Sequence, residues 1–528
     1  MSYTSYNYLF IFLGITFILY TAFPKKYKWT VLLAASTVFY LINSGRLIVF
    51  LLLTAVSIYF AGIFLNKIND GFALAKKSLE KEDRKKLKAN IVWQKKAVVT
   101  AAVLFIFGIL LVLKYSGFFI SAAEFFAGLF GFKPHFKTFK FLLPLGISYY
   151  TLQAAGYIID VYRGKYRATD NFFKLALFLS FFPQIVEGPI GRYDLLAETL
   201  YCGHSFDYDR FTKGLQLMAW GLFKKMVIAD RANIFVSEVF GNYQKYSGSI
   251  ILLGGVLYTL QIYAEFSGCM DIVTGSAELF GVPLSQNFSR PFFSKSVAEF
   301  WRRWHITLGA WLRDYVFYSV SLSKPFMKLS RFAKAHTNEF LGSLIPASFA
   351  MFFTWFGIGF WHGAGLKYII YGLYYYAVMM LGMYLEPLFV RLFNAAHINR
   401  NSKPLNAFRI LRTLILVVCG MTLFRAETVG IWFGMIKRVF IGFGGGTFLN
   451  DALLCGMDKQ DFLIVILGAA VMFAISILQE KGINVRDTLA KQVLPVRWTV
   501  YVCLVLSVII FGAYGIGYDA VDFIYGQF

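Results

Sequence analysis

Apolar runs approaching the length of a bilayer crossing recur along the chain, and they constrain its fold more than any other feature. A spanning helix needs about 20 largely apolar residues. Such runs read at residues 8–23, 29–42, 47–65, 97–113, 118–130, 141–159, 172–185, 211–228 and 249–263. Others follow at 341–361, 368–385, 410–423, 462–478 and 499–516. The length criterion predicts roughly eleven to thirteen true crossings, the shorter runs being tilted, re-entrant or buried. Composition agrees. Apolar residues make up 58% and charged residues 15% of the 528, against about 45–50% and about 25% in soluble domains. A water-soluble globular enzyme and a disordered chain are both excluded. The 52 Lys and Arg against 29 Asp and Glu leave a net charge of +23. So apolar a chain is not a nucleic-acid binder, and the charge belongs in the loops of an all-α polytopic membrane protein.

The basic residues orient the first third. Lys25, Lys26 and Lys28 fill the first loop, and only Arg46 sits in the second. The third, residues 67–96, carries Lys76, Lys77, Lys81, Arg84, Lys85, Lys86 and Lys88. Basic loops stay cytoplasmic, which places the N-terminus outside. Glu80, Glu82 and Asp83 among these lysines predict a short amphipathic cytoplasmic helix. No basic residue precedes the first apolar run, so it reads as a retained span and not a cleaved signal peptide. The five cysteines form neither a CxxC pair nor a zinc-ligand spacing, and no metal is expected. Gly442, Gly444, Gly445 and Gly446 read as a turn, lacking the Lys and Ser/Thr of a phosphate-binding loop. The chain reads as one integral-membrane domain: N-terminal spans over 1–140, a motif-bearing core over 141–386 and C-terminal spans over 406–528.

One aromatic stretch cannot face lipid. Residues 287–318 hold Arg290, Lys295, Glu299, Arg302, Arg303, Arg313 and Asp314, and each charge costs roughly 2.5–3.5 kcal/mol at mid-bilayer. On a helical wheel Trp301, Trp304, Leu308 and Trp311 share one face. Arg302, Arg303, Arg313 and Asp314 fall roughly opposite, with His305 at the edge of the tryptophan stripe. Glu299 can pair with Arg302 or Arg303. Two readings stand: an interfacial anchor with snorkelling arginines, or the wall of a wet cavity with arginines available to an anionic ligand.

Between Phe340 and Leu385 the only charged residue is Lys367, yet the run contains Trp361-His362-Gly363-Ala364-Gly365. A histidine among so many apolar residues is either a core side chain bonded to a carbonyl or a functional group. The glycines permit close helix packing and irregular backbone. His135, His204, His336 and His397 sit in loops or near span ends and read as incidental. Further polar groups interrupt apolar runs: Tyr149, Tyr150 and Gln153; Gln184 and Glu187; Glu265, Ser267 and Asp271. Most read as inter-helix contacts, and together they predict a polar interior.

The motifs FFPQIVEGPIGRY, QIYAEFSGCMDIVTGSAELFGVPLSQNFSRPF, EFWRRWHITLGAWLRDYVF and FWHGAGLKYIIYG occur in this order. They resemble the membrane-bound O-acyltransferase (MBOAT) family. Within it they are most similar to the bacterial branch of alginate O-acetylation and D-alanyl transfer proteins, nearer the alginate type. The resemblance implies a multi-helix fold around a central funnel or tunnel. It implies movement of an acyl group from a cytoplasmic thioester towards the outer face of a bacterial inner membrane. It carries the family's catalytic histidine to His362 and its second histidine to His305.

Imidazole chemistry suits this: acyl transfer to a hydroxyl needs a base near neutral pKa. His362 is expected to take the hydroxyl proton, and His305 to orient the acceptor or stabilise developing charge. Arg302, Arg303 and Arg313 could hold the donor's phosphates or simply anchor the segment. The implied donor is acetyl-CoA or a carrier-bound phosphopantetheine thioester. The implied product is an O-acetylated cell-surface or secreted polysaccharide. No G-x-S-x-G elbow occurs in the sequence, and the related systems use a separate extracytoplasmic SGNH-type partner. The alternatives are D-alanyl transfer to teichoic acid and, in another class, a secondary transporter or polysaccharide flippase. The last gives no reason for the two histidine motifs, and no inverted repeat is seen.

Overall fold

The computed structural model describes residues 1–75, 80–132, 136, 141–444 and 448–514. Lys76, Lys77, His135, Gly445 and Gly446 lie outside the described residues. Those described form helices joined by turns, with a single isolated antiparallel bridge between Phe288 and Trp304. The chain divides into two compact units, residues 1–215 with 273–285, and residues 216–272 with 286–528.

The first unit contains α1 (Leu13–Ala22), α2 (Lys28–Ser44), α3 (Ile48–Ala75), α4 (Lys81–Leu129), α5 (Ile147–Arg163), α6 (Phe172–Ser180) and α7 (Tyr193–Tyr201). Gly45, at φ +49°, ends α2. Helices α3, α4 and α5 pack together, and α5 is buried along nearly its whole length. The expected span over 172–185 is not one: α6 stops at Ser180 and residues 181–190 run on as buried, non-helical chain. Gly146, at φ +65°, makes this possible, since a Cβ there would overlap the Ile185 carbonyl. Irregular backbone is tolerated at such depth only where protein surrounds it.

A boundary between the units falls within α8 (Tyr208–Leu222) and another within α10 (Gly248–Leu279), with α9 (Asp230–Gly241) between them. The second unit continues through α11 (Val297–Arg303), α12 (Ile306–Leu312), α13 (Tyr318–Ser321), α14 (Lys324–His336), α15 (Glu339–His362) and α16 (Leu366–Ala395). It ends with α17 (Lys403–Arg425), α18 (Val429–Ile441), α19 (Phe448–Leu453), α20 (Lys459–Glu480), α21 (Val485–Ala490) and α22 (Leu494–Phe511).

Among the described residues eight helical runs are long and apolar enough to cross a membrane, fewer than the eleven to thirteen expected. The expected spans 97–113 and 118–130 merge in α4, while 29–42 and 47–65 fall in α2 and α3, which abut at Gly45 within the single helical run Lys25–Ala75. Others are too short, such as the 17 residues of α5. The charged residues expected as a separate cytoplasmic helix are instead the first turns of α4. Burial differs among the helices: 72% of the apolar window of α10 is enclosed and none of that of α22. Exposed Leu467, Ile466 and Ile510 fit a surface solvated by acyl chains.

Candidate active site

His362 is placed by backbone contact between two helices. It is the last residue of α15, and Gly363 to Gly365 turn the chain into α16. A Cβ on Gly359 would overlap the Tyr368 carbonyl, and one on Gly372 the Trp355 carbonyl. Glycine at both positions lets α15 and α16 approach to backbone contact, the packing that small residues allow in membranes. A Cβ on Gly363 would strike the Tyr368 ring. His362 is 3% exposed. Its ring meets Trp361, Tyr371 and Phe424 edge-on, with centroids 5.1, 5.8 and 5.2 Å away.

His305 is placed by a break. The amphipathic element expected within 287–318 is not one continuous helix. Chain from α11 leaves helical geometry at Trp304, and His305 adopts left-handed backbone, φ +47°, before α12 begins. Such geometry is strained for a residue with a Cβ, by roughly 1–2 kcal/mol. The surroundings hold it there. Ser289 N–H donates to the Arg303 carbonyl at 2.9 Å and Ile306 N–H to the Asn287 carbonyl at 3.0 Å. Asn287 Oδ1 accepts from Thr307 N at 3.1 Å and Thr307 Oγ1 at 2.9 Å, and lies 3.3 Å from His305 Nδ1. His305 is 3% exposed. Its segment is not one of the long apolar helices, and burial pushes its pKa down to about 3, so the ring is neutral.

The same indole joins the two histidines. The Trp361 ring centroid lies 5.7 Å from that of His305 and 5.1 Å from that of His362. Phe266 of α10 packs edge-on against His305 at 4.9 Å. Trp301 continues the aromatic wall to Tyr371 at 6.3 Å and Tyr375 at 4.8 Å.

The three arginines are placed differently. Arg303 is held by Glu299 at 2.7 Å and Glu480 at 3.0 Å. Arg313 is exposed and pairs with Asp314 at 3.1 Å. Arg302 is exposed and makes no ion pair among the described residues.

A second polar cluster includes two residues that the sequence reading missed. Lys224 and Lys225 lie in a π-helical stretch, Phe223–Ala229, within the run 211–228 expected as a span. Lys224 Nζ meets Asp271 at 2.7 Å and Ser267 Oγ at 2.9 Å. Lys225 Nζ meets Asp230 at 2.5 Å and Glu265 at 3.4 Å. The signal was available: adjacent lysines inside an apolar run are too expensive to leave unpaired, and π-turns concentrate at functional sites. Glu265, Ser267 and Asp271, read as contacts between helices, bond from α10 to that stretch.

The profile of the membrane-bound O-acyltransferase family matches residues 168–424, a range containing both histidines. A probable alginate O-acetylase AlgI of Pseudomonas aeruginosa is 32% identical over 470 residues, 88% of this chain and 80% of that protein. A peptidoglycan O-acetyltransferase of Helicobacter pylori is 31% identical, covering 49% of this chain and 50% of that one. A teichoic acid D-alanyltransferase of Bacillus subtilis is 29% identical, covering 47% and 60%.

The chain belongs to the membrane-bound O-acyltransferase family. It is thus an all-α, multi-span membrane O-acyltransferase that uses an acyl donor. The buried histidine pair, fixed by a glycine-packed hairpin on one side and a strained turn on the other, lies inside the matched region of this acyltransferase. The Lys224–Asp271 and Lys225–Glu265 pairs lie there too.

Proposed function

We propose that this acyltransferase moves an acetyl group from a thioester to a hydroxyl, for O-acetylation of a cell-surface or secreted polysaccharide, with His362 as general base. The observation that carries this reading is the shared indole: two buried imidazoles from elements 57 positions apart (362 − 305) flank Trp361. In the reaction, the acceptor hydroxyl oxygen bonds to the thioester carbonyl carbon while His362 takes its proton. The C–S bond then breaks, and the thiolate leaves with its electron pair and recovers the proton from the imidazolium. His305 orients the acceptor. No net proton is consumed.

Acetyl-CoA is the donor we favour, with a carrier-bound phosphopantetheine thioester as the alternative. Of the three arginines, Arg302 is the one whose guanidinium makes no ion pair among the described residues, which suits it to a donor phosphate. Acetyl is favoured over D-alanyl because the alginate-acetylation relatives match across most of the chain, whereas the D-alanyltransferase matches under half. An extracytoplasmic SGNH-type partner would pass the acetyl group to the polysaccharide, as the resemblance implies. The protein would lie in the bacterial inner membrane with its N-terminus outside, as the basic residues after the first span indicate.

The test is transfer from radiolabelled acetyl-CoA by reconstituted protein and partner. His362→Ala should lower kcat by at least about 100-fold, the scale of lost general-base catalysis. Undiminished transfer would remove His362 from that role. Uptake of an unmodified solute without thioester cleavage would favour the transporter class.

A further inference from the structure

Resting on that reading, we propose that Asn287 is a positioning residue that fixes the tautomer of His305. As a result the ring offers its Nε2 lone pair to a donor group of the acceptor beside the reacting hydroxyl, whose own proton goes to His362.

An Asn carboxamide has one accepting end and one donating end, and coordinates alone do not distinguish them. Here the chemistry does. The atom facing Thr307 receives a backbone N–H at 3.1 Å, and a backbone N–H can only donate. That atom is therefore the oxygen. The assignment leaves Nδ2 pointing to Met270 Sδ at 3.3 Å, a sulfur that accepts and cannot give up a proton in return. Both ends of the amide are thus consistent with one orientation.

The same oxygen lies 3.3 Å from His305 Nδ1. An oxygen has no proton to give, so the hydrogen between them belongs to Nδ1. The neutral imidazole is then protonated at Nδ1 and carries its lone pair at Nε2. An imidazole in this state can accept a hydroxyl proton in a hydrogen bond but cannot donate to an oxyanion from Nε2. His305 therefore aligns the acceptor through a donor group beside the reacting hydroxyl and does not stabilise the tetrahedral oxygen. The role expected from the sequence narrows from two options to one.

Asn287 also sits where the constraint is needed. Its carbonyl accepts from Ile306 N at 3.0 Å, immediately after the left-handed residue, and its side chain is 3% exposed. Backbone and side chain of one asparagine thus hold His305 and the two residues that follow it. Met270, which receives the other end of the amide, lies one turn of α10 beyond Phe266, whose ring packs edge-on against His305. The orientation of the imidazole is set by one helix and one loop together.

The experiment is a double-mutant cycle in the reconstituted full-length protein, with kcat and KM for acetyl-CoA normalised to the monodisperse fraction in detergent. Asn287→Ala should lower kcat by about 10- to 100-fold, the usual loss when the partner that orients a functional histidine is removed, and should leave KM for the donor within twofold. In a His305→Ala background the same substitution should change kcat by less than twofold, because its effect runs through the ring. Losses that multiply in the double variant overturn the proposal. Asn287→Asp keeps an accepting oxygen and should recover part of kcat, with the acid limb of the pH profile moved upward as the carboxylate stabilises the imidazolium. An Asp variant as inactive as Ala, with an unmoved limb, also counts against it. Thr307→Val removes one latch bond and leaves the contact to His305, so kcat should fall by less than threefold. A loss as large as that of Asn287→Ala would show that turn rigidity alone is at work. Should His305→Ala leave transfer intact, it is the placement of His305 in the site that fails, a result separate from the coupling.

Discussion

Lys225 shows how much one side chain can hold. Only 2% of it is exposed, and its ammonium lies between the carboxylates of Asp230 and Glu265. Replacing it with methionine would keep the stem and remove the charge, leaving two buried carboxylates close together. Breaking a buried pair from one side costs about 3–5 kcal/mol. Lys225→Met should therefore depress the melting temperature in detergent strongly, and adding Asp230→Asn with Glu265→Gln should restore most of it. A melting temperature unchanged in the single variant would mean that solvent reaches the cluster. The two lysines were visible in the sequence as charges in an apolar run. Their partners were not. Asp230 is five positions from Lys225, but Glu265 is forty positions away on another helix, and nothing in spacing or periodicity links them. The same limit applies to Asn287. It stood in a recognised motif, but its bond to His305 depends on a backbone reversal that no helical wheel contains.

At the scale of elements, periodicity was readable and continuity was not. Trp304, Leu308 and Trp311 are buried as their spacing predicts, yet the helix assumed to carry them breaks at His305. Helical spacing survives a break of one or two residues, so a sequence pattern cannot register it. The break also explains the neighbouring charges. Glu480, at the end of α20, meets Arg290 at 2.6 Å and Arg303 at 3.0 Å, and these arginines flank the turn that presents His305. Arg290 is itself left-handed, φ +49°. Partly exposed pairs of this kind contribute about 1 kcal/mol or less each. Glu480→Gln should therefore move the melting temperature little. Its effect should fall on kcat, by about three- to thirtyfold, since small displacements of a positioned group weaken catalysis steeply. Parallel melting and transfer assays check this, and a normal kcat would show that the turn holds without its clamp. The hairpin of α15 and α16 was more legible, because glycines in an apolar run imply close packing. Which backbone each glycine meets emerged only from the fold.

For the whole molecule, the charge distribution has to agree with the geometry of a bilayer. Helix α4 has 49 residues, about 73 Å at the α-helical rise, against a hydrocarbon core of about 30 Å. Part of it must stand outside the membrane. Its first turns hold Lys81, Glu82, Asp83, Arg84, Lys85, Lys86 and Lys88, all exposed, and the apolar residues follow. The charged end is thus the projecting end, and its excess of lysine is what supports the proposed cytoplasmic placement. Composition pointed to a membrane protein, because 58% apolar and 15% charged residues depart from soluble domains in the direction that long apolar spans require. Counting spans was harder, since a long helix with a projecting end and a helix interrupted at Gly45 both distort the tally of apolar runs. Orientation can be read directly by labelling. In a chain whose five cysteines are replaced by alanine, Glu82→Cys should react with a membrane-impermeant maleimide in inverted vesicles and stay unlabelled in spheroplasts. Asn7→Cys, exposed before the first span, should do the opposite. The reverse pattern would put the basic end of α4 outside.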